Sequence, residues 1–130
     1  MLNILIVDDL LNNRKLLRDM LKQYGQCDMV GDGAEGVEMF EGALLEGQPY
    51  NLVLLDIMMP GMNGQEVLVK MRRVEQEQGV AQQAVIIMVT AVDSQQTVLK
   101  AFYQGGCDDY IVKPFKQDDL LDKLRSFNLL

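Results

Sequence analysis

The 130-residue chain has no histidine and no tryptophan, two cysteines and three prolines. The missing histidine is the most restrictive absence, because it removes the commonest general base and metal ligand. Histidine-dependent hydrolases and zinc sites are excluded, and so is a phosphohistidine carrier. Basic residues are also scarce. Twelve Lys and Arg against nineteen Asp and Glu give a formal charge of -7, which argues against non-specific binding to nucleic acid or an anionic membrane. There is no basic and apolar leader and no apolar stretch long enough to cross a bilayer, so a cytoplasmic location is expected. The length and an ordinary apolar content of 48% predict one domain, residues 1–130, with a real core.

Four apolar runs each stop at a polar signal. Ile4-Leu5-Ile6-Val7 ends at Asp8-Asp9, Leu52-Val53-Leu54-Leu55 at Asp56, Val85-Ile86-Ile87-Met88-Val89 at Thr90, and Tyr110-Ile111-Val112 at Lys113-Pro114. Continuous runs of this kind read as strands buried on both faces, as in a parallel sheet covered by helices. Residues 27–30 give a weaker strand. Helical stripes alternate with the strands. The first is Leu16, Leu17, Met20 and Leu21, with Gly25 as its stop. The second is Val37, Phe40 and Leu44, loosened by Gly36 and Gly42. Val67, Met71 and Val74, flanked by Leu68, form the third, and its end from Glu75 to Gln78 is polar. Asp93 and Gln96 at capping-box spacing open a fourth, with Val98, Leu99 and Phe102 apolar and Gly105-Gly106 behind them. Leu120, Leu121, Leu124 and Phe127 mark the last, with Asp118 and Asp119 in its first turn. The pattern is (βα)5, an α/β three-layer sandwich with right-handed crossovers.

Parallel strands put their carboxyl ends along one edge, where α/β proteins place ligands. Three carboxylates, a hydroxyl and an ammonium would meet there, a set suited to a divalent metal and a phosphoryl group. Taken singly the signals are weak: paired acids after a strand are most often solvated turn residues, and Thr commonly ends strands. A Lys closing a buried strand usually snorkels, but Pro114 can lock its turn, a cis peptide bond being one way. Four successive strand ends carrying such signals carry the weight.

The chain resembles, over essentially its whole length, the receiver domain of two-component response regulators. The matching pieces are Asp8-Asp9, the run Leu55-Asp56-Ile57-Met58-Met59-Pro60-Gly61-Met62-Asn63-Gly64, Thr90-Ala91, and Gly106-Cys107-Asp108-Asp109-Tyr110-Ile111-Val112-Lys113-Pro114. The resemblance implies a flavodoxin-like sheet of order 2-1-3-4-5, with the four polar strand ends on neighbouring strands. In that order Cys27 and Cys107 lie at opposite margins, about 19 Å apart at ~4.8 Å per strand, too far for a disulfide. Free thiols and a reducing compartment follow.

The resemblance also implies a chemistry. Asp9, Asp56 and the backbone carbonyl of Met58 would bind Mg2+ directly, and Asp8 largely through water. Mg2+ suits such an oxygen-only site. Asp56 would accept a phosphoryl group from a partner sensor histidine kinase or histidine phosphotransfer protein. Thr90 and Lys113 would contact that group, and Thr90 with Tyr110 would form the switch. The output would be a changed surface on the fourth helix, fifth strand and last helix, read by a downstream protein, with no direct contact to nucleic acid or membrane. Tyr110 read on its own is a half-buried edge aromatic. The protein would not be an enzyme beyond promoting its own phosphorylation and dephosphorylation. Met58 and Val92 would flank the path of the hydrolytic water, hindering it without orienting it, so self-dephosphorylation should be slower than with polar residues at the two positions.

Two forms of that reading stay open: a complete single-domain regulator, or the front of a longer regulator or hybrid kinase. Others fit less well. A haloacid dehalogenase-type phosphatase wants its nucleophile and acid two residues apart after the first strand. A flavodoxin or P-loop enzyme wants a phosphate loop there, and Asp8-Asp9-Leu10-Leu11 is not one. A pseudo-receiver that only binds partners usually lacks one of the acids or the Lys, and here all are present.

Overall fold

The computed structural model describes residues 1–91, 96 and 106–130. Among these, strands β1 (Leu2–Val7), β2 (Gly25–Val30), β3 (Leu52–Asp56), β4 (Val85–Thr90) and β5 (Asp109–Val112) form one sheet. All pairings are parallel and the order is β2-β1-β3-β4-β5, the order implied by the resemblance. All five residues of β3 are buried, as a central strand covered on both faces demands.

Side chains alternate across each strand, so the sheet feeds two separate cores. On one face, Leu5, Val7, Val53, Leu55, Ile86 and Met88 pack with α2 (Gly33–Leu45) and α3 (Gly64–Gln78) through Phe40, Val67, Leu68 and Met71. On the other, Ile4, Ile6, Leu54, Ile87, Val89 and Ile111 pack with α1 (Leu11–Leu21) and the C-terminal helix (Gln117–Ser126) through Leu17, Leu21, Leu120, Leu121 and Leu124. Each fully buried Leu or Ile contributes roughly 1.5–3 kcal/mol. The result is the three-layer sandwich.

Several details differ from the sequence pattern. Leu16, counted in the α1 stripe, is 53% exposed. Residues advance 100° around a helix, and with Leu17 and Leu21 facing the sheet at i and i+4, Leu16 swings outward. Gly25, read as the stop of α1, is the first residue of β2, paired with Leu2, so β2 begins two residues before Cys27. Phe127 is only partly buried and sits at the end of the C-terminal helix. Glu75, placed in a polar helix end, is 2% exposed. Its carboxylate is met by Arg72 from the preceding turn at 2.7 Å. The predicted fourth helix lies outside the described residues apart from Gln96. Both cysteines are free, Cys27 partly buried on edge strand β2 and Cys107 buried ahead of β5.

The start of α3 is fixed against the site. Asn63 caps the helix, its side-chain oxygen accepting the Glu66 N–H at 3.0 Å, and the Gly64 N–H donates to the Ile57 carbonyl at 3.0 Å. A Cβ on Gly64 would collide with the Asp56 carbonyl oxygen and lie 2.8 Å from the Ile57 Cα. Both obstacles are backbone, so the helix itself would have to retreat. Gly64→Ala is therefore expected to cost about 1–3 kcal/mol, read as a lower urea midpoint with an unchanged m-value. An unchanged midpoint would mean the helix start is not held there.

Candidate functional site

Parallel pairing brings four sequence-predicted positions to one edge. Asp8 follows β1, Asp56 closes β3, Thr90 closes β4 and Lys113 follows β5, and in the strand order these are consecutive neighbours. Asp8, Asp56 and Thr90 are buried at 1%, 5% and 1% exposure. Carboxylate oxygens of Asp8, Asp9 and Asp56 all lie within 4.8 Å of one another. Lys113 reaches over them, its Nζ 3.7 Å from Asp8 Oδ2 and 3.8 Å from Asp56 Oδ2. Among the described residues the Lys113 ammonium is thus shared between two of the three acids.

Local hydrogen bonds hold this edge in shape. The Asp8 Oδ1 accepts the Leu10 N–H at 2.9 Å, and the Asp56 Oδ1 accepts the Met58 N–H at 3.1 Å. The Lys113 N–H donates to the Thr90 carbonyl at 2.7 Å, tying the ends of β4 and β5 together just before the cis Lys113–Pro114 bond. The Thr90 hydroxyl donates to the Ala91 carbonyl at 3.2 Å. Met58 is 66% exposed, and Val92 lies outside the described residues. Arg14 carries no signal of its own in the sequence. From α1 it donates to the Asp8 carbonyl at 2.7 Å, anchoring the turn that carries both acids. Only its place six residues beyond Asp8 could have hinted at this. Tyr110 stands apart from the acids on edge strand β5, 37% exposed.

The electrostatics are unbalanced. Burial raises the Asp56 carboxyl to a pKa of about 6 from 3.8. Lys113 opposes the rise, the charges of Asp8 and Asp9 add to it, and the Met58 N–H lowers it. Because the folded value lies above the unfolded one, the metal-free protein is stabilised as pH falls through about 6 toward 3.8 and loses that stability as pH rises again. Metal-free Asp56→Asn is accordingly expected to be more stable than wild type at pH 7.5, by about 1–3 kcal/mol. The gap should close by pH 4. Thermal melts in chelator at both pH values measure this, and a gap independent of pH would remove the assignment.

The donor set fits a hard divalent cation. It is all oxygen, it carries excess negative charge, and the buried Asp8 Oδ2 has no hydrogen-bond partner among the described residues. A buried polar atom left so is costly unless something else meets it, and Mg2+ binds through one or two carboxylates while keeping several waters, one of which a third acid can hold.

Residues 4–125 match the family model of the response regulator receiver domain. The chain belongs to that family. Among curated relatives, the DNA-binding response regulator MtrA of Mycobacterium tuberculosis is 38% identical over 125 residues, 95% of this chain and 49% of MtrA. The chain spans about half the length of the curated relatives it matches. Among solved structures, the response regulator TrrA of Thermotoga maritima, in complex with Mg2+ and beryllofluoride, is 33% identical over the whole of both chains with a TM-score of 0.77. The receiver domain of a sensor histidine kinase from Pseudomonas aeruginosa, with magnesium coordinated in its active-site cleft, is 27% identical, covers 96% and 95% of the two chains, and has a TM-score of 0.78. Receiver domains are regulatory switches in two-component signal transduction. No described helix of this one is long and apolar enough to cross a membrane.

Proposed function

We propose that this receiver domain takes a phosphoryl group onto Asp56 from a phosphohistidine on a partner protein, a sensor histidine kinase or histidine phosphotransfer protein. The observation that carries the reading is the cluster of three carboxylates around a buried Asp8 oxygen that accepts no hydrogen bond from the described residues, with the Lys113 ammonium shared between Asp8 and Asp56. Asp9, Asp56 and the Met58 carbonyl are the residues that would hold Mg2+ directly, with Asp8 acting largely through water. When bound, the ion supplies positive charge that offsets the acids and the incoming phosphoryl oxygens.

The chain's own residues do the rest. An Asp56 carboxylate oxygen attacks phosphorus in line. The new O–P bond forms as the P–N bond breaks, and the electron pair leaves with the imidazole nitrogen. Asp56 needs no base because it reacts as the anion. Lys113 donates as a point charge to the phosphoryl oxygens, and the Thr90 hydroxyl can turn from the Ala91 carbonyl to do the same. Phosphoryl transfer depends chiefly on such positioning and charge. The reading makes the domain a switch whose surface around β5 and the C-terminal helix meets a downstream protein.

The test uses acetyl phosphate with and without Mg2+. One base-labile phosphate is expected by intact mass, and only with the metal. Asp9→Ala should weaken Mg2+ binding at least tenfold, since a directly ligating carboxylate is gone, while leaving the fold as stable or more so. Phosphate uptake that ignores Mg2+, or tight Mg2+ binding by Asp9→Ala, would overturn the ligand set.

A further inference from the structure

Tyr110 lies opposite Met88 in the β4–β5 register, and Thr90 lies opposite Val112. Thr90 and Tyr110 therefore share a sheet face on a diagonal, within reach of a long side chain. Asp109 and Ile111 point to the other face, where Ile111 packs beneath the C-terminal helix. Lys123 belongs to that helix and pairs with Asp109, Nζ to Oδ2, at 3.1 Å. Its ammonium is nevertheless 5.7 Å from the centre of the Tyr110 ring. A cation rooted on one face meets a ring rooted on the other around the β5 margin of the sheet, where no further strand pairs among the described residues. The ring is thus turned outward, away from Thr90. The Asp109 Oδ1 also accepts the Tyr110 backbone N–H at 2.7 Å, so one carboxylate fixes both the cation and the strand beneath the ring.

We propose that Lys123, pinned by Asp109, is a positioning residue that holds Tyr110 outward and so sets how strongly phosphorylation must pull to turn the ring in. This rests on the phosphoacceptor reading, in which Thr90 moves toward the phosphoryl group and Tyr110 follows. An ammonium over an aromatic face is attractive within about 6 Å, and turning the ring to the Thr90 face would carry it away from the Lys123 ammonium. A contact present in one state alone biases the equilibrium against the other. Any ligand of the ring-in state then binds more weakly by the factor the contact supplies. Arg in place of Lys keeps the charge over the ring. Met keeps the stem and loses the charge.

The test titrates beryllofluoride with Mg2+ into wild type, Lys123→Arg and Lys123→Met, each with Tyr110 present and with Tyr110→Ala. Ring resonances of Tyr110 are followed in the mimic-free proteins. Lys123→Met should bind the mimic about twofold to fivefold more tightly, and its ring signals should already be shifted toward their mimic-bound positions. Lys123→Arg should behave as wild type, and Lys123→Met should change nothing once Tyr110 is Ala. A Lys123→Met effect that persists without Tyr110 overturns the clamp, as does a ring that stays put in Lys123→Met. Wild type that does not bind the mimic overturns the phosphoacceptor reading itself. In that case the ring signals alone still decide whether Lys123 holds Tyr110.

Discussion

Asp56→Asn is expected to take up no phosphate from an acyl phosphate, with a fall of more than about 100-fold in the rate of labelling. The amide is nearly the same size, so the packing of β3 and the approach of α3 survive. What goes is the anionic nucleophile. The neighbouring acids do not substitute for it. Asp8 is 1% exposed with one oxygen committed to the Leu10 N–H, and Asp9 is proposed as a metal ligand. Intact mass after acetyl phosphate and Mg2+ reads the result directly. A full-yield, base-labile adduct on Asp56→Asn would move the acceptor elsewhere.

Arg72→Met is expected to destabilise the fold by about 3–5 kcal/mol, measured by urea unfolding. The Arg72 guanidinium donates to Glu75 Oε1 at 2.7 Å, to the Ala84 carbonyl at 2.9 Å, to Asp108 Oδ2 at 2.8 Å and to the Gly106 carbonyl at 2.9 Å. Both acids are also tied to β4 or its approach: Glu75 Oε2 accepts the Ala84 N–H at 2.7 Å and Asp108 Oδ2 the Ile86 N–H at 2.8 Å. Removing the cation strands a carboxylate that is 2% exposed, and a buried charge without a partner is far more costly than a lost hydrogen bond. Arg72→Met/Glu75→Gln should therefore lose less than Arg72→Met alone, because the stranded charge is gone while the Ala84 N–H keeps an acceptor. Strict additivity of the two changes would show that the pair is not coupled. The network sits at the amino ends of β4 and β5, opposite the acid cluster, so labelling of Asp56 per folded molecule should not change.

What the sequence revealed depended on contrast. Asp8, Asp56, Thr90 and Lys113 were legible because each interrupts an apolar run, and a parallel sheet turns such interruptions into a shared edge. The order of strands was not legible from pattern alone. It came with the resemblance, because nothing local in residues 4–7 or 52–55 says which neighbour each strand chooses. Glu75 was misplaced because a charged residue near a helix end usually faces water. The signal that could have corrected it was Arg72 three residues earlier, the spacing at which helix side chains meet. Leu16 failed for the opposite reason: an apolar residue beside a stripe need not belong to it. Arg14, Asp109 and Lys123 act through atoms 6 to 14 residues away, and such pairings are made by the fold rather than by periodicity.

The proposed acceptor and the proposed reporter of this switch belong to parts of the sheet that should open on different scales. Asp56 ends the central strand, flanked by β1 and β4 and wholly buried. Tyr110 belongs to a four-residue strand paired, among the described residues, on one side only. Amide protons at the centre of a sheet exchange with solvent only when the whole domain unfolds, whereas margins open at much lower free energy. Val53 and Leu54 should therefore exchange at the global rate, and Ile111 well before them. The phosphoryl group would be anchored to the last element to let go, and would be read out by one that samples other arrangements while the rest stays folded.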